Sequence, residues 1–283
     1  MTRDSARKPL SPSVDLTRLG RRKIAETEVA DHWDKNADLW ADHVARGWDL
    51  YREYLNNPAF LKLIGDLKEK KVLDAGCGEG SNTRILAKRG ALMTGVDISR
   101  KMIAHARAAE KKEPLGIAYH VASFANLSMF EDATFNTVVS FMAMMDTPDY
   151  ARAVKEIYRI LKPGGDFFFN ISHPCFMTMG FEWIRDKRGN PVKIAQCDYF
   201  SKEHFIERWK FSGVENKDSV PPFAIPYFGG TLSDYVNPLA EAGFVLKKIQ
   251  EPRPSASLCR EQPEFKRWRN TGAIFLHFHV RKP

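Results

Sequence analysis

Residues 71–80, with the sequence KVLDAGCGEG, constrain the fold more than any other stretch of the chain. A short apolar run that ends in Asp74 predicts a buried strand with an acid at its tip. Three glycines follow at alternate positions, and residues 81–89 then have the apolar spacing of a helix. Because glycine tolerates positive φ and has no Cβ, such a turn lets the main chain approach a bound molecule closely. The stretch therefore predicts a strand, a glycine loop and a helix that together cradle a ligand.

The same alternation of strands and helices continues along the chain. Predicted strands cover residues 71–74, 91–97, 116–122, 136–141, 166–171, 244–249 and 273–280. Predicted helices cover residues 81–89, 100–112, 148–161 and 231–242, with two or three more between residues 24 and 63. Pro163, Gly164 and Gly165 are expected to end one helix before the fifth strand. The pattern predicts the α/β class, with a doubly wound, seven-stranded and mostly parallel sheet.

Two segments interrupt this alternation and define the expected domain organisation. Residues 1–23 hold seven Arg and Lys against two Asp, which predicts a basic, flexible arm. Residues 24–283 are expected to form one domain, in which residues 24–66 are a helical lid. Residues 172–230 are rich in proline and aromatic residues and lack a regular pattern, which predicts an insertion on the substrate side.

Composition excludes several classes of protein. No apolar run approaches the ~18 residues of a membrane span, and the basic N-terminus lacks the apolar segment of a secretory leader, so we expect a cytoplasmic protein without a membrane partner. The net charge of +8 is concentrated at the two ends of the chain, away from the glycine loop, and we expect no nucleic-acid partner. His277 and His279 share one strand face without a third ligand nearby, so no metal is predicted.

The glycine loop distinguishes between two kinds of nucleotide-like ligand. A dinucleotide site uses Gly-x-Gly-x-x-Gly to bind a diphosphate, whereas Gly76, Gly78 and Gly80 fall one residue short of that spacing. Asp74 would repel a diphosphate but would attract a cation through charge-assisted hydrogen bonds. Asp97, at the tip of the second strand, is placed to accept the two hydroxyls of a ribose. These residues favour a cationic ligand without phosphate, and S-adenosylmethionine has these properties.

At this point the sequence resembles the class I S-adenosylmethionine-dependent methyltransferases, in their small-molecule branch. The resemblance rests on residues 72–80 (VLDAGCGEG), on residues 95–99 (GVDIS) with Met102, and on residues 160–165 (ILKPGG). It is close over residues 71–171 and looser through the seventh strand. It implies the Rossmann-like methyltransferase fold, S-adenosyl-L-methionine as the methyl donor and a small-molecule acceptor.

The resemblance also implies roles for individual residues. Asp74 and the three glycines would line the methionine part of the donor, with Cys77 filling the tight turn. Asp97 would bind the ribose, and Ile98 and Met102 would cover one face of the adenine. The remaining expected donor contacts come from the ends of later strands: Ser123, Phe124 and Phe141. Ser123 departs from the family pattern, because many members have an acidic residue there.

Methyl transfer needs alignment, exclusion of water and, for some acceptors, a base. His173, just past the fifth strand, is the first candidate for this base, although it could instead fix the turn before Pro174. Asp146 is the second candidate, although it could instead cap the next helix. The acceptor is expected to be aromatic or apolar and to contact Trp33, Trp40, Met144, Phe176, Trp183, Tyr199 and Tyr227. An aromatic cage of this kind could equally enclose an amine cation.

Two other functions remain open from the sequence. An RNA methyltransferase would keep the same donor and use the basic ends of the chain, but residues 144–147 (MMDT) lack the Asn/Asp-Pro-Pro-aromatic signature of base-amine methyltransferases. A non-catalytic protein that binds S-adenosylmethionine on the same scaffold is the third interpretation. The presence of both Asp74 and Asp97 argues against it.

Overall fold

The computed structural model describes residues 15–179 and 181–283. The strands of this part of the chain are β1 (Asp15–Gly20), β2 (Lys71–Ala75), β3 (Leu92–Asp97), β4 (Ala118–Val121), β5 (Phe135–Phe141), β6 (Leu161–Ser172), β7 (Glu182–Arg185), β8 (Pro191–Ala195), β9 (His204–Trp209), β10 (Phe223–Phe228), β11 (Val245–Gln250) and β12 (Phe275–Arg281). Its α-helices are α1 (Glu26–Ala45), α2 (Asn57–Ile64), α3 (Ser81–Lys88), α4 (Arg100–Lys112), α5 (Tyr150–Ile160), α6 (Leu232–Glu241), α7 (Ala256–Glu261) and α8 (Lys266–Arg269). A π-helical stretch, Arg52–Asn56, leads into α2. None of the helices described is long and apolar enough to cross a membrane.

The central sheet has seven strands in the order β11-β12-β6-β5-β2-β3-β4. All neighbouring pairs from β6 to β4 are parallel, and β12 runs antiparallel to both β6 and β11. The predicted doubly wound, mostly parallel sheet is therefore confirmed. The chain runs from β2 outward to β4 on one side, and later from β5 outward to β6 on the other, so strand order reverses beside β2. Ligands of such sheets bind where the order reverses, outside the carboxyl ends of the strands.

Both faces of the central sheet are buried, and successive side chains of β6 pack alternately on one face and the other. Phe167 and Phe169 pack with Val154 and Ile157 of α5 on one face, and Phe168 packs in the cluster on the other face. That second cluster contains side chains of α2, α3 and α4, and the first contains side chains of α5 and α6. Continuous apolar runs such as that of β6 are typical of strands covered by helices on both faces.

Helix boundaries follow the capping residues that the sequence contains. Ser99 accepts a hydrogen bond from the Met102 N–H at 3.0 Å and starts α4, as predicted. Thr231 starts α6 and forms a reciprocal capping box with Asp234. Helix α5 begins after Asp149, whose carboxylate accepts from the Arg152 N–H at 3.1 Å. The interpretation of Asp146 as the cap of this helix is therefore wrong.

The segment predicted to lack a regular pattern contains two antiparallel pairs. β7 pairs with β8, and β9 lies between β1 and β10 in a three-stranded sheet. The prolines did not prevent this, because Pro191 is the first residue of β8 and Pro226 lies in β10, an edge strand that needs hydrogen bonds on one side only.

The expectation of a flexible N-terminal arm is wrong for Asp15–Gly20. This segment is β1, and its backbone pairs with β9, which lies almost 190 residues further along the chain. Residues 1–14 lie outside the described residues. The division into a single domain from residue 24 stays a prediction, and the pairing of β1 with β9 moves its expected start to residue 15 or before.

Candidate active site

A cavity of about 810 Å³ lies outside the carboxyl ends of the parallel strands. Its floor is formed by the ends of β2, β3 and β5, and its other walls come from α1, the three-stranded sheet and the region around α8. Most of the expected donor-binding residues line it: Asp74, Gly76, Cys77, Gly78, Asp97, Ile98, Met102, Ser123, Phe124 and Phe141. Gly80 is the exception.

The glycine loop has a backbone that other residues could not adopt without movement. Gly76 has φ of +80°, and a Cβ added there would lie 2.3 Å from the Cβ of Ala143. Gly80 has φ of +87°, and an added Cβ would lie 2.6 Å from the hydroxyl oxygen of Tyr119. Gly76 therefore provides room beside the cavity, whereas Gly80 lets the loop pack against β4.

Asp74 has one carboxylate oxygen in use and one without a partner. Oδ2 accepts a hydrogen bond from the hydroxyl of Thr83 at 2.6 Å. Oδ1 is buried, and no hydrogen-bond partner for it exists among the described residues. Burial raises the pKa of Asp74 to about 7, and the nearby Asp97 and Glu79 add to the increase. A buried carboxylate oxygen that lacks a donor, beside a cavity, fits the ammonium group of S-adenosylmethionine.

Asp97 is held rigidly at the end of β3. Its Oδ2 accepts from the Gly78 N–H at 2.9 Å and its Oδ1 from the Ser99 N–H at 2.8 Å. A carboxylate has about four acceptor positions, so each oxygen can still accept a ribose hydroxyl. Burial raises the pKa of Asp97 to about 6, and the two backbone hydrogen bonds oppose that rise. The glycine loop and Asp97 therefore fix each other's position.

Helix α1 is bonded to each of the three loops that follow β2, β3 and β4. The Trp40 indole N–H donates to Glu79 at 2.8 Å, and the Ser99 hydroxyl donates to Asp34 at 2.5 Å. The Ser123 hydroxyl donates to Glu26 at 2.7 Å. The Ser123 hydroxyl thus bonds to the helix, and the carboxylate that an acidic residue would contribute here comes from α1.

The structure brings together some of the expected acceptor residues and separates others. Trp33, Trp40, Trp183 and Tyr227 line the cavity. Met144 does not line the cavity, because its side chain is fully buried in the hydrophobic core that the sheet forms with α5 and α6. Phe176 packs on His173, and Tyr199 accepts from the Leu232 N–H at 2.9 Å; neither lines the cavity.

His173 is not placed to act as the base. Its Nε2 bonds to Glu251 at 2.8 Å, and its Nδ1 accepts from the Cys175 N–H at 3.1 Å, so both ring nitrogens are occupied. The side chain is buried and does not line the cavity. Burial lowers its pKa, and the hydrogen bond to Glu251 opposes this. The structure supports the other interpretation, in which His173 fixes the turn before Pro174.

Asp146 lines the cavity, and its carboxyl group has no hydrogen-bond partner among the residues described, although its backbone N–H donates to the carbonyl oxygen of Ala143 at 2.9 Å. Its pKa is raised well above the ordinary value, first by burial and then by the charges of Glu207 and Asp97. Glu207, on β9, also lines the cavity and was absent from the sequence prediction. The alternation of Phe205, Glu207 and Trp209 along a strand could have indicated it, because these three side chains share one face.

The two histidines of β12 do not line the cavity, and each is hydrogen-bonded within the protein. His277 bonds to Asn56 at 2.8 Å, and His279 bonds to Asp166 at 2.7 Å. Within residues 15–179 and 181–283, no group of three or more His, Cys, Asp or Glu side chains is arranged to hold a metal ion.

Comparisons with known proteins agree with this geometry. A family model described as a methyltransferase domain matches residues 73–169. A ubiquinone biosynthesis O-methyltransferase from Coxiella burnetii is 33% identical over 206 residues, which cover 69% of this chain and 84% of the relative.

Solved structures show the same fold. An S-adenosylmethionine-dependent methyltransferase from Mesorhizobium loti is 25% identical, with a TM-score of 0.64 over 79% of this chain and 96% of that one. An N1-methyltransferase from Burkholderia thailandensis, bound to 1,6-didemethyltoxoflavin and S-adenosylhomocysteine, has a TM-score of 0.55 at 14% identity over 96% of each chain. With the donor site and the sequence relatives in agreement, the chain belongs to the S-adenosylmethionine-dependent methyltransferase family.

Proposed function

We propose that this enzyme methylates a hydroxyl or amine nitrogen of a small aromatic acceptor bound between the glycine loop and the three-stranded sheet. The observation that carries the proposal is the composition of the cavity above the donor residues. Trp33, Trp40, Trp209 and Tyr227 form its walls, and Asp146, which follows β5, also lines it. Flat apolar molecules suit such walls, and the carboxyl group of Asp146 can orient a polar substituent.

The donor residues and the acceptor residues have separate tasks. Asp74 and Asp97 would hold the ammonium and ribose groups of S-adenosylmethionine, which supplies a methyl carbon already activated by its sulfonium. The aromatic walls would align the acceptor in line with the bond that breaks, and α1 with the three-stranded sheet would exclude water. The proton released from the acceptor would pass to the carboxylate of Asp146. The name of the Coxiella burnetii relative, an O-methyltransferase, supports a hydroxyl as the nucleophile.

A panel of small phenols and aromatic amines, incubated with S-adenosylmethionine labelled in its methyl group, tests the proposal. We expect label in at least one aromatic product. Asp146→Asn should lower kcat by ~10²- to 10⁴-fold, the usual contribution of a general base, while S-adenosylhomocysteine binds as tightly as before. Asp31→Asn, at an exposed position of α1, is the matched control and should leave kcat unchanged.

Three other outcomes would each contradict a different part of the proposal. Donor binding without any labelled product would support a non-catalytic binding protein. Label in RNA, with none in the small aromatic compounds, would overturn the assignment of the acceptor. Full activity of Asp146→Asn would show that the acceptor needs no carboxylate base.

A further inference from the structure

The three-stranded sheet presents one mixed face to the cavity. On its central strand β9, Phe205, Glu207 and Trp209 alternate along this face. Ile225 of β10 lies opposite Glu207, and Tyr227 lies opposite Phe205. One carboxylate therefore lies among the apolar and aromatic side chains that β9 and β10 present to the cavity.

The side chain of Glu207 has no polar partner among residues 15–179 and 181–283. Its carboxyl group makes no hydrogen bond or ion pair with any residue of the described chain, and burial alone raises its pKa to about 7. The hydroxyl of Tyr227, on the neighbouring strand, donates to the carbonyl oxygen of Met177 at 3.2 Å. A carboxyl group in such a wall is costly to keep unless a ligand satisfies it.

Three of the basic side chains that line the cavity have partners other than Glu207. Arg18, on β1, pairs with Glu203 at 3.3 Å. Arg267 donates to the hydroxyl of Tyr51 at 2.8 Å, and Lys210 donates to the carbonyl oxygen of Lys217. None of them offsets the effect of burial on the pKa of Glu207.

The groups that face Glu207 make the local charge more negative. Asp146 follows β5 and lines the same cavity as Glu207. Burial raises the pKa of Asp146, and the charge of Glu207 raises it further. Burial raises the pKa of Tyr227, and the charges of Glu207 and Asp146 raise it further. Two carboxyl groups that repel each other inside aromatic walls are best satisfied by a cation, because a neutral hydroxyl would leave their charge uncompensated.

We propose that the acceptor carries a protonated amine, which binds to Glu207 between the aromatic walls of the three-stranded sheet. This rests on the proposed function, since it specifies the acceptor of that reaction. The ammonium would donate charge-assisted hydrogen bonds to Glu207 and contact the rings of Phe205 and Trp209. Asp146, which follows β5 and also lines the cavity, would remain available for the proton of the nucleophile. Glu207 would thereby select the acceptor without taking part in the transfer.

Binding of matched pairs of compounds tests this without requiring turnover. Each pair shares a ring and differs by an amine: tyramine and 4-ethylphenol, tryptamine and 3-ethylindole, benzylamine and toluene. Titration calorimetry at pH 8, with S-adenosylhomocysteine present, should show at least one amine bound about tenfold or more tightly than its neutral partner, the usual range of a charge-assisted contact. The preference should weaken as the pH falls below about 7, where Glu207 becomes protonated.

Three variants assign the effect to Glu207. Glu207→Gln keeps the shape and should abolish most of the preference for amines, whereas Glu207→Asp keeps the charge and should retain part of it. Glu215→Gln, at an exposed position outside the cavity, should behave as the wild type. Equal binding within all three pairs, or an undiminished preference in Glu207→Gln, would overturn the proposal. Amine binding through Glu207 without methyl transfer would instead contradict the proposed function and leave this inference standing.

Discussion

Individual carboxyl groups dominate the chemistry of this cavity. Asp74, Asp97 and Glu207 all face it, and burial raises the pKa of each, to about 7, about 6 and about 7. Asp97 is the best satisfied, because two backbone N–H groups donate to it. Glu207 is the least satisfied. Perturbed acids of this kind concentrate at functional sites, where a ligand completes their interactions.

Glu207 should therefore lower the stability of the unliganded protein at neutral and basic pH. Its folded-state pKa of about 7 exceeds the ordinary value of 4.5, so the folded protein binds more protons than the unfolded chain between these pH values. Stability should fall as pH rises through this window. We expect Glu207→Gln to raise the free energy of unfolding by up to about 3 kcal/mol at pH 8, at 1.36 kcal/mol per pKa unit, and by little at pH 4.5.

Urea unfolding at both pH values, monitored by circular dichroism, measures this difference. Glu215→Gln should change neither value, because its side chain is exposed. A stabilisation by Glu207→Gln that is the same at pH 4.5 and pH 8 would show that the carboxyl group is not buried as described.

Residues at strand ends were predictable, and those fixed by distant contacts were not. Asp74 and Asp97 each end an apolar run beside a recognisable turn, so their position at the cavity follows from the local sequence. His173 also follows a strand, but Glu251, which is 78 residues further on, turns its ring away from the cavity. The alternation along β9 indicates that Glu207 shares a face with Phe205 and Trp209, but that this face lines the cavity depends on pairing with β1 and β10, which short-range patterns do not indicate.

At the scale of elements, α1 connects the two halves of the cavity. Three of its side chains bond to the loops after β2, β3 and β4. Asn36 exchanges hydrogen bonds with the backbone of Ala224 on β10, at 3.0 and 3.3 Å. The helix therefore holds the donor loops and the three-stranded sheet in a fixed relation.

The bond from Trp40 to Glu79 should contribute to donor binding. Trp40→Phe removes the indole N–H and keeps most of the packing against Phe211 and Phe223. A hydrogen bond to a charged group contributes ~1.5–3 kcal/mol, so we expect affinity for S-adenosylhomocysteine to fall about tenfold or more. Equilibrium titration measures this.

Trp48→Phe is the matched control, because Trp48 packs against His43 and does not line the cavity. It should bind S-adenosylhomocysteine as the wild type does. Equal losses in both variants would indicate a general loosening of α1, and an unchanged Trp40→Phe would show that the contact does not position the glycine loop.

Sequence patterns predicted the elements of the central sheet well, because each has a local cause such as Ser99, Thr231 or a continuous apolar run. They failed for residues 172–230, where prolines indicated loops. An edge strand accommodates proline, and whether a strand lies at an edge depends on the whole sheet. Local sequence carries no information on that arrangement.

At the scale of the whole molecule, the cavity depends on parts of the chain that are far apart in sequence. Its wall includes Arg18 near one end and Phe275 near the other. The residues expected to hold the donor come from one continuous stretch between β2 and β5, whereas those proposed to select the acceptor come from β9 and β10. The two binding functions are thus supplied by separate segments.

The position of β12 inside the central sheet has a consequence for the order of folding. β2 to β6 can pair with one another once residues 71–172 are available, but β6 keeps an open edge until Phe275–Arg281 inserts between it and β11. Pairings across long stretches of chain form slowly, because loop-closure entropy must be overcome first.

In pulse-labelled hydrogen exchange during refolding, we expect amide protection in β2, β3 and β5 before β9 and β12. Simultaneous protection of all five strands would contradict this order. An intermediate that still has the free edge of β6 would be the species most prone to associate with other chains.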